Sequence, residues 1–140
     1  MLFRSATSAV GLALFPTPKH PAGEPLKQAM HQMEDALKVL GKGVTAENRA
    51  VSLEELAKFQ AAVLTAKALT PDSAAKVEEK KRPAFENEFR ATLIEALQFT
   101  CSAELAILDG KYKDADTLIR NKLGGMKSTG HGKFKEEGGK

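Results

Sequence analysis

Apolar residues recur in this chain with the period of an α-helix, and this pattern constrains the fold more than any other feature. In the first such segment they step along the sequence by 4, 3, 4 and 3 positions, which places them on one helix face. These residues are Leu26, Met30, Met33, Leu37 and Leu40. Later segments repeat the period, and none shows the alternation of a strand. A chain of 140 residues is long enough for one domain with a buried core.

Local signals predict where four helices begin and end. The first is predicted over residues 25–40, followed by glycines that end it. Ser52 is predicted to cap the second helix, with Glu55 completing a capping box. The third is predicted over residues 83–108, and the fourth begins near Lys113 after a tight turn. The charged connection over residues 73–82 is long for a bundle loop, and a helical turn within it is one possibility.

Amphipathic helices joined in this way predict an all-α fold, an antiparallel up-down-up-down four-helix bundle. We expect the bundle to occupy residues 25–135, preceded by a leader and Pro-rich linker over residues 1–24. Residues 136–140 are predicted to be a disordered tail.

The first fifteen residues resemble a secretory leader. Arg4 supplies one positive charge, and an apolar run follows that is too short to span a membrane. Several prolines then mark a linker. Secretion is therefore predicted, with a disordered or truncated leader as the alternative.

Composition excludes several classes of function. The formal net charge is only +3, and no basic stripe with interleaved aromatic residues indicates nucleic-acid binding. No arrangement of a nucleophile with a base is visible, so an enzyme is not predicted. Cys101 is the only cysteine, which excludes an internal disulfide. It is predicted to be a small packed residue, with a reactive thiol as the alternative.

Met30 and His131 are the candidate metal ligands. In an up-down-up-down bundle, the start of the first helix and the end of the fourth lie at the same end, so these two side chains could share one pocket. A thioether and an imidazole form a ligand pair of six-coordinate haem iron. Alternatively, Met30 only fills the core and His131 only interacts with a helix dipole. Met33 is the fallback sulfur donor, whereas His31 and His20 are predicted to be solvated.

Four stretches of sequence carry a resemblance to a known family. They are Met30 with residues 37–40 (LKVL), residues 61–71 (AAVLTAKALTP), Phe85 and Phe89 with residues 108–111 (LDGK), and Leu123 with Lys127 and residues 130–134 (GHGKF). In this order the chain resembles the cytochrome b562 family, soluble bacterial four-helix-bundle cytochromes. The fourth helix carries one residue more between Gly110 and Leu123 than the family pattern.

The resemblance implies a non-covalent haem b, with Met30 and His131 as axial ligands of the iron. The residues that would line the pocket are Met33, Leu37, Phe59, Phe85, Phe89, Leu123 and Met126. Lys127 and Lys135 would lie near the haem edge or its propionates. The single cysteine excludes covalent attachment through a Cys-x-x-Cys-His motif.

Two functions are consistent with these features. The first is a periplasmic, non-enzymatic electron carrier, because a six-coordinate iron leaves no open position for oxygen or substrate. The alternative is a haem-free bundle acting as a structural or interaction module of the bacterial envelope. In either case we expect a monomer with no nucleic-acid partner and no membrane span. The sequence does not identify a redox partner.

Overall fold

The protein was analysed as a computed structural model, which describes residues 23–123 of the chain. Every regular element in this part of the chain is helical. The four α-helices are α1 (Gly23–Leu40), α2 (Arg49–Lys67), α3 (Arg82–Leu108) and α4 (Tyr112–Leu118). The last of these continues as a π-helical turn, Ile119–Leu123. The all-α prediction is thus confirmed for residues 23–123.

Two of the predicted helices match the structure closely. Helix α1 begins two residues earlier than predicted and ends at Leu40. Helix α3 begins at Arg82, with Pro83 in its first turn, and ends at Leu108. Proline suits this position because the first backbone N–H groups of a helix have no acceptor within it. The connection before α3 contains two 3₁₀ turns, Asp72–Lys76 and Glu79–Lys81, so the possible helical turn is present.

The predicted start of α2 was wrong by one turn. The helix begins at Arg49, and Ser52 lies inside it, buried. The Ser52 hydroxyl donates a hydrogen bond to Asn48 Oδ1 over 3.2 Å. The side chain of Asn48 also accepts from the Thr45 N–H at 2.8 Å and donates to the Gly43 carbonyl at 2.8 Å. Asn48 therefore fixes the loop, and the helix starts directly after it.

The core lies where the helical period placed it. The sequence period on α2 predicts a buried face of Leu53, Leu56, Phe59, Val63 and Ala66; all are buried except Leu53, which is half-buried against the core. The sequence pattern missed the small residues that share these faces, which are Ala29, Ala36, Ala62 and Ala103. Their side chains are short, so they let neighbouring helices approach closely.

Two hydrogen bonds show which helix ends lie together. The backbone N–H of Val44, just after α1, donates to Asp116 Oδ1 near the start of α4 over 3.2 Å. Between α2 and α3, Gln60 Nε2 donates to Glu104 Oε1 over 2.9 Å. The tight turn at Gly110, whose φ is 75°, joins the end of α3 to the start of α4. The end of α1 thus lies beside the turn that connects α3 and α4.

Cys101 does not lie where the sequence placed it. Its side chain is exposed, so the prediction of a packed residue was wrong. Helix α3 buries the line formed by Phe89, Ala96 and Ala103, and Cys101 lies on another face. Among the described helices, the one covering Glu79–Leu108 is long and apolar enough to cross a membrane, which is weak evidence because core helices of soluble proteins meet the same criteria.

Candidate metal centre

Met30 is the more accessible of the two candidate sulfur donors. It lies in the first half of α1, half-buried, and packs against the hydrophobic core. Met33, one turn further along, is only 8% exposed. A thioether at the boundary of the core can donate to a metal without displacing core side chains. The geometry therefore favours Met30 over Met33 as a ligand.

The candidate pocket residues on three helices join one apolar surface. Phe59 on α2 and Phe89 on α3 are buried in the core. Leu37 on α1 and Phe85 on α3 are half-buried and pack against the same core. The structure thus brings all four into the same hydrophobic cluster. Leu37 and Phe85 remain partly accessible at its boundary.

The described residues contain no alternative metal site. No group of three or more His, Cys, Asp or Glu side chains in residues 23–123 could hold a metal ion. The side chain of His31 is 69% exposed, and its Nδ1 lies 3.8 Å from Glu34 Oε1. The prediction that His31 is solvated is therefore confirmed.

Several predicted site residues lie outside the described part of the chain. These are His131, Met126, Lys127 and Lys135, together with His20 in the linker. The backbone of Leu123 ends the π-helical turn. Pairing of Met30 with His131 remains a prediction.

A polar contact that the sequence did not suggest holds the start of α4. Asp116 accepts from Arg120 Nε over 2.9 Å as well as from the Val44 N–H. The i,i+4 spacing of Asp116 and Arg120 was the signal that could have found this pair. Elsewhere, a hydrogen bond and the nearby charge of Glu55 raise the pKa of Lys58, which is exposed on α2.

A comparison with models of known protein families identifies the family of this chain. The model of the family described as cytochrome b562 matches residues 25–135. The chain belongs to the cytochrome b562 family. The cytochrome b562 family is one of haem-binding electron carriers of the periplasm. A search of curated proteins found no match.

The described residues fit the cofactor that this family implies. A haem offers a large apolar ring and an iron that accepts a sulfur donor. Within residues 24–121, Met30 provides a half-buried thioether that packs against the hydrophobic core. Leu37 and Phe85 add partly accessible apolar surface to the same core. The donor and the apolar side chains are therefore of the kinds that a cytochrome b562 requires.

Proposed function

We propose that this cytochrome b562 family member binds one non-covalent haem b between Met30 and His131 and carries single electrons in the periplasm. The observation that carries the proposal is the position of Met30, half-buried at the boundary of the core in a chain that matches the family from residue 25 to residue 135. When bound, the haem iron supplies a one-electron redox couple.

The proposal includes an antiparallel up-down-up-down order of the helices. The hydrogen bond from Val44 to Asp116 supports this order, because it joins the end of α1 to the start of α4. If these two helices run in opposite directions, the start of α1 and the far end of the fourth helix lie together. Met30 and His131 would then occupy the same end of the bundle.

The π-helical turn supports the same register. Relative to the family pattern, the fourth helix carries one additional residue before Leu123, and the π-helical turn Ile119–Leu123 lies in that interval. A π-turn closes i→i+5 hydrogen bonds, so it holds one residue more than an α-turn. In the proposed bundle, the turn would therefore take up the additional residue without changing the rotational register of the positions after it. We propose that it keeps His131 facing Met30.

The protein side chains would set the electronic properties of the site. A methionine sulfur ligand raises the reduction potential. The apolar side chains of Phe85 and Phe89 exclude water, which favours the less charged reduced state. If Met30 and His131 both held the iron, they would leave it no open position for oxygen or a substrate. These properties suit electron transfer and do not suit catalysis.

The test of the sulfur ligand is a haemin titration of the full chain followed by a visible spectrum of the reduced protein. We expect sharp α and β bands at one haem per chain. Met30→Leu keeps apolar volume but removes the sulfur, so the spectrum should become high-spin. Met33→Leu is the matched control and should keep the low-spin bands. If Met33→Leu alone abolished them, Met33 would be the ligand instead.

The histidine ligand is tested in the same way. His131→Ala should abolish the low-spin spectrum, whereas His31→Ala should leave it unchanged because that side chain is solvated. Broad bands from loosely held haem in the unsubstituted protein would contradict the proposal. They would favour the haem-free bundle, a structural or interaction module of the envelope.

A further inference from the structure

The outward face of α3 carries a second periodic seam. Its positions step by 3 and 4 residues alternately, which is the heptad spacing of helices that pair. All eight side chains are exposed, and we call this set the α3 seam: Ala84, Asn87, Ala91, Ile94, Gln98, Cys101, Leu105 and Leu108. The intramolecular core does not use these positions, because none of these residues is buried. The seam therefore needs another explanation.

The seam lies opposite the face with which α3 contacts its own bundle. The inward line of the helix is Phe89, Ala96 and Ala103, at 3%, 6% and 0% exposure. At 100° per residue, the centre of the seam lies about 170° around the helix from this line. A second helix can therefore approach the seam without entering the core of the bundle.

From Ile94 onward, the seam is rich in exposed apolar surface. Leu105 is 66% exposed, Leu108 is 54% and Ile94 is 38%. Between residues 91 and 108 the only charged side chains are Glu95 and Glu104. Glu104 accepts a hydrogen bond from Gln60 of α2. A row of exposed leucines on a helix with so few charges is typical of an interaction surface.

The charges beside the seam favour a second copy of the same helix. In a parallel pair of heptad helices, a flanking residue of one helix meets the residue five positions later in its partner. Arg90 and Glu95 flank the seam at this spacing, and both are exposed. Two copies in parallel would therefore place Arg90 of each against Glu95 of the other. The same spacing sets Glu104 against Asp109, but Glu104 accepts a hydrogen bond from Gln60 and Asp109 pairs with Lys111 of its own chain. We propose that the α3 seam is a self-association surface on which two copies of this chain pair in parallel.

This pairing sets like residues opposite like residues along the seam. Cys101 of one copy would face Cys101 of the other, and Asn87 would face Asn87. Polar residues in such a seam fix its register at a cost in stability. With Asn87 and Gln98 in the seam, the dimer is weak and concentration-dependent. The inference goes beyond the proposed haem function and departs from the sequence expectation of a monomer.

The first test measures the mass of the full chain over a range of concentrations, in reducing buffer, by sedimentation equilibrium. We expect a monomer–dimer equilibrium that Leu105→Glu weakens at least tenfold. Leu64→Glu is the matched control, since Leu64 is 52% exposed on α2 and lies off the seam. Both variants should keep the thermal midpoint of the unsubstituted protein. A monomer at every concentration, or equal weakening by both variants, would overturn the proposal.

The second test is disulfide trapping with diamide. Diamide takes up two electrons and two protons as two Cys101 thiols join. In a Cys101→Ser background, Ile94→Cys should also cross-link, because parallel pairing sets this position against itself. Val51→Cys, exposed on α2 and off the seam, is the control and should not.

Each contrary result has a definite meaning. An antiparallel pair centred on Cys101 would trap the native thiol but not Ile94→Cys, which would overturn the parallel arrangement. A monomer that instead bound lipid vesicles through Leu105 would overturn self-association altogether. Since both tests run without haem, they can fail while the haem proposal stands.

Discussion

Asn48 shows how much of the fold depends on one polar side chain. Its amide oxygen accepts from the Thr45 N–H and from the Ser52 hydroxyl, and its amide nitrogen donates to the Gly43 carbonyl. These bonds close the loop between α1 and α2. Val44 follows Gly43 in that loop, and its backbone N–H donates a hydrogen bond to Asp116 on α4. A single residue therefore connects local loop geometry to the packing of the fourth helix.

We predict that Asn48→Ala lowers the free energy of unfolding by about 1–2 kcal/mol, because it removes bonds at the start of a helix. The measurement is urea denaturation followed by circular dichroism. Thr45→Ala is the control and should cost less, because it removes only the acceptor of a 3.3 Å bond from the Asn48 N–H. Equal losses in the two variants would show that Asn48 does not organise the loop.

Among the elements, the π-helical turn Ile119–Leu123 bears directly on the register that we propose for His131. Each residue added to an α-helix rotates everything after it by about 100°. A π-turn takes up one such residue locally. Arg120 in this turn also pairs with Asp116, so the turn adjoins the contact that holds α4 to the α1–α2 loop.

Deletion of Asn121 tests this role. Asn121 is exposed within the π-helical turn, so its loss should convert the turn to regular α-helix without altering the core. We expect the low-spin haem spectrum to survive this deletion. Insertion of one alanine after Asn121 should abolish it, since no further residue can be absorbed. Loss of the spectrum on deletion and its survival on insertion would show that the turn does not absorb the extra residue.

For the whole molecule, the proposed binding of haem would be coupled to folding. A ligand that binds only the folded chain stabilises it, by about 2.7 kcal/mol when its free concentration is one hundred times the dissociation constant. We therefore expect haemin to raise the thermal midpoint of the full chain. The increase should shrink in Met30→Leu, because that variant loses one iron ligand.

The same melting curves without haemin provide the control. Leucine and methionine have similar volumes and Met30 is half-buried, so Met30→Leu should change the free energy of unfolding by less than about 1.5 kcal/mol. If haemin shifted both midpoints equally, Met30 would not contribute to binding.

The sequence alone determined the features that depend on neighbouring residues. The helical period placed α1 and α3 within two residues of their observed limits, and Pro83 marked the first turn of α3. It also placed Met33, Phe59 and Phe89 in the core. The family resemblance, confirmed by the match over residues 25–135, supplied the candidate cofactor and its ligands. Helix limits and core positions can be predicted from the sequence because helix propensity, capping and periodicity each act over a few neighbouring residues.

Tertiary structure decided what depends on how whole helices are rotated and joined. Helix α3 carries apolar residues on two opposite faces, so periodicity alone could not show that Cys101 points outward. Packing against α2 and α4 made that choice. The start of α2 was likewise set by the loop bonds of Asn48, which compete with the local capping signal of Ser52. Contacts between residues distant in sequence stabilise the observed rotation of α3 and the observed start of α2. A local sequence pattern contains no information about such contacts.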